Sequence, residues 1–266
     1  MSFKFCSLFS GSSGNASYIG TEKTHLLIDA GFTGRKIEQA LKDIDIDPSM
    51  LDGILITHEH TDHVQSAGVL SRRYDLPIYA NEATWEAMED KLGNISTKNI
   101  RIFDSDRDFY IKDINIQPYS IPHDAADPVG FCFFHGRNKI SIMTDLGHTN
   151  SKIIKTVMDS DLIVLEANHD IDMLRGGTYP WPLKRRILGR KGHLSNKDAG
   201  LALVEMVKGS KLTHVLLAHL SKENNIPHLA YETVVSILED YGIRNGEDIV
   251  IDMTHRDRAS NFYQVG

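Results

Sequence analysis

The run Thr57-His58-Glu59-His60-Thr61-Asp62-His63 places three imidazoles and an aspartate within six positions, directly after the apolar stretch Gly53-Ile54-Leu55-Ile56. Imidazole nitrogen and carboxylate oxygen are the donors that a borderline divalent cation such as zinc or manganese accepts. The helical pattern His-Glu-x-x-His is excluded, because the residue four after His58 is Asp62. What stands is His-x-His-x-Asp-His, in which His58 and His60 can serve one metal and Asp62 and His63 a second. A strand that ends in such a cluster aims its ligands into one pocket.

Further donors follow at the ends of expected strands, in Ile121-Pro122-His123-Asp124, Ile142-Met143-Thr144-Asp145-Leu146-Gly147 and Leu216-Leu217-Ala218-His219-Leu220-Ser221. Hydrophobic patterning predicts strands over 3–9, 16–20, 25–30, 53–57, 77–80, 100–103, 108–120, 129–135, 139–144, 161–166, 213–218 and 248–252. It predicts helices over 34–43, 64–74, 82–91, 150–158, 196–208 and 228–241. Hairpin-like strands followed by strand–helix units in both halves imply an α+β chain, with two mixed sheets facing each other and helices outside.

Composition limits the function classes. The 266 residues are 41% hydrophobic and 24% charged, ordinary for a soluble globular protein with a sizeable core. No Ser/Pro-rich tract or block of like charge suggests a linker, so one domain over 1–266 is expected. The start, Met1-Ser2-Phe3-Lys4-Phe5-Cys6-Ser7-Leu8, is too short and too polar for a signal peptide, and no apolar run approaches a membrane span. With Cys6 and Cys132 both in apolar strands, two buried thiols in a reducing cytoplasm are expected, with no membrane partner. A net charge of −7 does not recruit a polyanion globally.

Taken together, these segments resemble the metallo-β-lactamase-fold hydrolases, matching the five ordered motifs of that superfamily across nearly the whole chain. The resemblance implies the four-layer αββα sandwich. It also implies two divalent metal ions, zinc or manganese with iron possible. The first would take His58, His60 and His123; the second Asp62, His63 and His219; Asp145 would bridge both. His123 is preferred to His135 and His148 because a strand pair and the Asp145 motif follow it at the family's usual interval.

Leu162-Ile163-Val164-Leu165-Glu166-Ala167-Asn168 and Gly192-His193-Leu194-Ser195-Asn196 resemble the Glu-Ala and Gly-His-Ser segments of the tRNase Z-like nuclease branch, whose Glu and His act together as a proton donor. With Ser10-Gly11-Ser12-Ser13-Gly14-Asn15 and Gly177-Thr178-Tyr179-Pro180-Trp181-Pro182-Leu183-Lys184, the set is most similar to the YycJ/WalJ group, regarded as 5′-to-3′ double-stranded DNA exonucleases. The resemblance therefore implies a metal-dependent phosphodiesterase acting on nucleic acid, double-stranded DNA in particular, with Asp62, Glu166 and His193 as the catalytic set.

The chemistry is coherent. A departing sugar oxygen needs a proton as it leaves, and a His oriented by a carboxylate is a suitable acid. Residues 171–194 carry six basic side chains against the single acid Asp172, with Tyr179 and Trp181 among them, which suits phosphate contacts beside a stacking platform. The opposing reading is a solvated helix face with Trp181 buried. The Gly11–Asn15 loop reads as a tight connection or as an anion nest. His169 reads as a hydrogen-bonded structural residue, and Glu59 as pointing away from the metals. The alternative function is a small-molecule phosphodiesterase, or a lactone or thioester hydrolase, on the same fold. Redox use through a diiron centre is disfavoured, because position 60 is His where such relatives carry Glu.

Overall fold

The computed structural model describes residues 2–207 and 213–266. The chain divides into two compact units, Met1–Ser120 with Ala125–Asn138 and His255–Gly266, and Ile121–Asp124 with Lys139–Thr254. Neither is a contiguous stretch of sequence.

In the first unit, β1 (Phe3–Phe9), β2 (Ala16–Gly20), β3 (His25–Ile28), β4 (Gly53–Leu55), β5 (Ile78–Ala80), β6 (Ile100–Ile102) and the last strand, β14 (Tyr263–Val265), form one seven-stranded sheet in the order β14-β1-β2-β3-β4-β5-β6. The first four are antiparallel neighbours, and from β3 to β6 the pairing is parallel. Parallel neighbours require crossovers, supplied by α1 (Gly34–Asp43), by α2 (Thr61–Val64) with α3 (Ala67–Tyr74), and by α4 (Glu82–Leu92). In α1, Ile37, Ala40 and Leu41 are buried at the spacing of a helix stripe, and they join Leu8, Leu27, Ile54 and Leu70 in one apolar core. The unit also holds an antiparallel meander of β7 (Phe109–Ile111), β8 (Ile114–Ser120) and β9 (Val129–His135).

The second unit is built on four parallel strands, β10 (Asn138–Met143), β11 (Leu162–Glu166), β12 (Thr213–Ala218) and β13 (Ile249–Met253). Strand β11 is buried at every position, the pattern of a central strand covered on both faces. The helices are α5 (Ser151–Val157), α6 (Ile171–Gly176), α7 (Trp181–Ile187), α8 (Asn196–Val207) and α9 (Pro227–Asp240).

Several expectations are corrected. The strand read over 108–120 is β7 and β8, separated by a turn in which Lys112 takes φ 50°. The helix read over 64–74 is α2 and α3, with a break at Gln65 and Ser66. Helices α6 and α7 and strand β14 were not anticipated. Residue 208, the end of the helix read over 196–208, lies outside the described residues. Cys6 and Cys132 are both free and buried, as expected.

Candidate metal centre and proton-donor pair

In the first unit, β4 delivers its chain end into Thr57, His58 and the short helix α2. His58 Nε2 and His60 Nδ1 stand 3.1 Å apart. Two nitrogens on one tetrahedral zinc are separated by roughly 3.3 Å, so this pair fits the edge of a metal polyhedron. Asp62 Oδ2 lies 3.7 Å from His63 Nε2, a second donor pair. His58 and His63 are fully buried, while His60 and Asp62 keep some exposure.

The rings are held from behind. Asp29, at the end of β3, accepts from His63 Nδ1 at 2.8 Å, from the Thr57 amide at 2.9 Å and from Thr57 Oγ1 at 3.0 Å. The Thr57 hydroxyl, donating to Asp29, accepts in turn from His58 Nδ1 at 3.0 Å. With both Nδ1 atoms protonated, the Nε2 lone pairs of His58 and His63, which face His60 Nδ1 and Asn15 Nδ2, are the ones a cation would take, the arrangement by which an outer hydrogen bond fixes a ligand's tautomer. Asn15 amide Nδ2 lies 3.0 Å from His63 Nε2, and the Asn15 backbone N–H donates to the Asp62 carbonyl at 2.8 Å. The Gly11–Asn15 loop thus buttresses the ligand loop. Gly31 is obligatory beside it, because a Cβ there would fall 1.6 Å from the Asp62 carbonyl oxygen.

In the second unit, Asp145, Glu166 and His219 sit at or just beyond the carboxyl ends of β10, β11 and β12, the edge at which parallel sheets present functional residues. Asp145 and His219 have φ of 59° and 55°, the left-handed region that non-glycine residues seldom adopt, and Asp29 shares this with φ 59°. Donor atoms of Asp145, Glu166, His193 and His219 all lie within 4.8 Å of one another.

Glu166, fully buried, is the hub of this group. Its Oε1 accepts from His193 Nδ1 at 2.7 Å and from His219 Nδ1 at 2.8 Å, and its Oε2 accepts from the amides of Leu146 at 2.9 Å and Leu194 at 3.3 Å. Burial alone would raise its pKa, but the charge on His193 and the hydrogen bonds from His193 and His219 outweigh it and hold the carboxyl down at about 2. His193 moves the other way. Burial would lower it, yet the Glu166 charge and hydrogen bond leave it raised. His123, 3% exposed, turns Nδ1 toward the Gly192 carbonyl at 3.1 Å, and its ring lies 5.1 Å from that of His193. Burial lowers its pKa, keeping the ring neutral as a ligand must be.

The structure therefore brings His58, His60, Asp62 and His63 together in the first unit and His123, Asp145, Glu166, His193 and His219 together in the second. The donor set is nitrogen and carboxylate throughout and fits divalent zinc, manganese or iron. His148 is half-buried beside Arg190, and His135 lies 3.4 Å from Asp113. Glu59 accepts from the Ala126 amide.

Sequence reasoning missed two supports and one dual role. Asp29 was not singled out, although it ends an apolar strand just as the ligands do, and Asn15 was read as part of the Gly11–Asn15 loop, not as a support of the ligands. Glu166 was assigned to His193 alone, whereas it also orients His219. His169 is 1% exposed, yet neither ring nitrogen has a hydrogen-bond partner among the described residues, and burial lowers its pKa to about 4. It is a neutral buried ring and not the hydrogen-bonded residue expected.

Comparison with known proteins gives the family. The profile of the metallo-beta-lactamase superfamily matches residues 10–179. The chain belongs to the metallo-beta-lactamase superfamily and is a metal-dependent hydrolase of that fold, the αββα sandwich read from the sequence. It is 41% identical over 254 residues to the Bacillus anthracis protein named exodeoxyribonuclease YycJ, covering 96% of each chain. To Streptococcus pneumoniae exodeoxyribonuclease WalJ it is 40% identical over 265 residues, covering 99% of this chain and 98% of the relative. Among solved structures, the metallo-beta-lactamase fold protein YhfI of Bacillus subtilis matches with a TM-score of 0.73 at 16% identity, covering 97% of this chain and 99% of YhfI. Human tRNase Z, short form, matches with 0.63 at 15% identity, covering 97% and 98%. Both likenesses speak to fold alone.

Proposed function

We propose that this protein is a metal-dependent nuclease that degrades double-stranded DNA from the 5′ end, using two divalent metal ions. The ligand set follows the superfamily pattern: His58, His60 and His123 for one ion, Asp62, His63 and His219 for the other, and Asp145 for both. The donor pairs within each unit and the Nδ1 acceptors behind His58, His63, His123 and His219 support it. Bound at these donors, divalent cations supply charge neutralisation for the phosphate oxygens and a source of hydroxide near neutral pH.

The observation that carries the nuclease reading is the 2.7 Å contact between His193 Nδ1 and Glu166 Oε1. A sugar alkoxide is a poor leaving group, so its departure is helped by a proton from the ring. Glu166 stabilises the charged form of His193 and fixes the ring, leaving Nε2–H as the donor to the leaving oxygen. Such an acid is commonly worth about 10²–10⁴-fold, and a lactam or thioester hydrolase has less need of one. Relatives at 40% identity named as exodeoxyribonucleases point the same way. We take residues 1–266 as one functional domain, since its two units interleave along the chain. The cytoplasm is the compartment we propose; among the described residues no helix is long and apolar enough to cross a membrane.

The test is a cleavage assay on 5′-phosphorylated, end-labelled duplex DNA with manganese or zinc, beside bis-p-nitrophenyl phosphate. Stepwise, metal-dependent release from the 5′ end is the expected result. Turnover of the small diester with intact DNA would replace the proposal by a small-molecule phosphodiesterase. Asp145→Ala serves as the blank and should lose both activity and metal.

A further inference from the structure

The exposed face of α7 carries an arrangement that the metal chemistry does not use. Trp181 is 57% exposed, although a tryptophan of this apolar area is ordinarily buried, as Trp85 is at 7%. Arg185 lies one helical turn further on and is exposed on the same face, followed by exposed Leu188 at the helix end. Arg175 before the helix, and Arg190 and Lys191 after it, are exposed too. Lys184 does not belong to this surface: it is buried, and its Nζ donates to the carbonyls of Arg175 at 2.7 Å and Gly177 at 2.6 Å, locking α7 onto the segment before it. The opposing reading of a buried Trp181 is thereby overturned.

This face is tied to the proposed acid. The His193 amide donates to the Ile187 carbonyl at the end of α7, at 3.0 Å. Gly192 between them is required, because a Cβ there would fall 2.1 Å from that same oxygen. The Gly192 carbonyl in turn orients His123 at 3.1 Å, and Arg186 pairs with Asp124, next to His123. A polyanion lying on α7 is therefore one turn of chain from the group that would protonate its leaving oxygen. In a protein of net charge −7, a cationic strip on this face favours a phosphate backbone over an acidic protein surface, because its aromatic member offers a stacking plane.

We propose that α7 and the turn behind it grip the end of the DNA duplex. Trp181 stacks on a terminal base, while Arg185, with Arg175, Arg190 and Lys191, holds phosphates so that the scissile one meets His193. This deepens the nuclease proposal and rests on it.

The experiment uses Trp85→Phe, which leaves Trp181 as the single tryptophan, with the metal-loaded protein and a phosphorothioate-ended 5′-phosphorylated duplex that resists cleavage. DNA should saturably quench Trp181 and protect it from acrylamide. In parallel, Trp181→Ala should weaken duplex binding about tenfold, and Arg185→Glu should reduce the slope of log affinity against log salt by about 1. Lys42→Glu, on the exposed side of α1, should change binding little. Trp181→Ala and Arg185→Glu should keep the wild-type metal content and urea-unfolding midpoint, which guards against misfolding. Wild-type DNA degradation with Trp181 fluorescence unmoved, or with both variants binding normally, overturns the grip alone. A wild-type protein that hydrolyses the small diester but neither binds nor degrades DNA overturns the nuclease proposal, and the grip with it.

Discussion

His193 Nδ1 lies 2.7 Å from Glu166 Oε1, and that same oxygen accepts from His219 Nδ1 at 2.8 Å. One buried carboxylate oxygen therefore serves two imidazoles with different proposed tasks, one donating a proton and the other holding a cation. Glu166→Gln keeps the shape but offers a single neutral acceptor. It should lower metal affinity about 10–100-fold and DNA hydrolysis about 10²–10⁴-fold. Metal titration and kcat measured on one preparation check both. Unchanged metal affinity would mean that His219 is oriented by something else.

Asp29 plays the matching part in the first unit, accepting from His63 Nδ1 and from the Thr57 amide and hydroxyl. Asp29→Asn removes one acceptor and turns an amide toward buried donors. Stability should fall by about 1–3 kcal/mol, read from urea unfolding, and metal affinity should fall as well. A variant with wild-type affinity for zinc would remove Asp29 from the support of His63.

The opposite shifts of Glu166 and His193 give opposite pH signatures in metal-free protein. The Glu166 pKa is lowered from 4.5 to about 2, so its contribution to stability is complete above pH 4.5 and is lost as the pH falls toward about 2. His193 is raised above 6.5, so its contribution is complete below pH 6.5 and is lost as pH rises through its folded value. Urea midpoints in chelator should therefore show the gap between wild type and Glu166→Gln closing toward acid. The gap between wild type and His193→Ala should close toward alkali. A gap that moves the other way would contradict the pairing.

The candidate ligand cluster in the first unit is legible in sequence because its donors are contiguous: period-2 alternation after an apolar strand separates His58 and His60 from Glu59 without any tertiary information. The other donors had to be found one at a time at strand ends, where the superfamily pattern, not local physics, selects His123 over His148. Asp29 escaped because a lone Asp after Leu26-Leu27-Ile28 reads the same whether it ends a strand or orients a ring. Helix α7 escaped because Pro180 and Pro182 signal a loop, yet proline is tolerated in the first turn of a helix, where its missing N–H has no partner to lose. The β7–β8 turn escaped because Lys112-Asp113 lacks the Gly or Asn that usually marks a tight hairpin. The unpartnered ring nitrogens of His169 could not be foreseen, since burial and partnership are tertiary facts.

The most direct test of the central claim compares leaving groups. Duplex DNA releases a sugar alkoxide that needs a proton, whereas bis-p-nitrophenyl phosphate releases a phenolate that does not. His193→Ala should keep its metal, lose about 10²–10⁴-fold on DNA, and hydrolyse the small diester at close to the wild-type rate. Equal losses on both substrates, or no loss on DNA, would contradict the assignment of His193 as the acid held by Glu166.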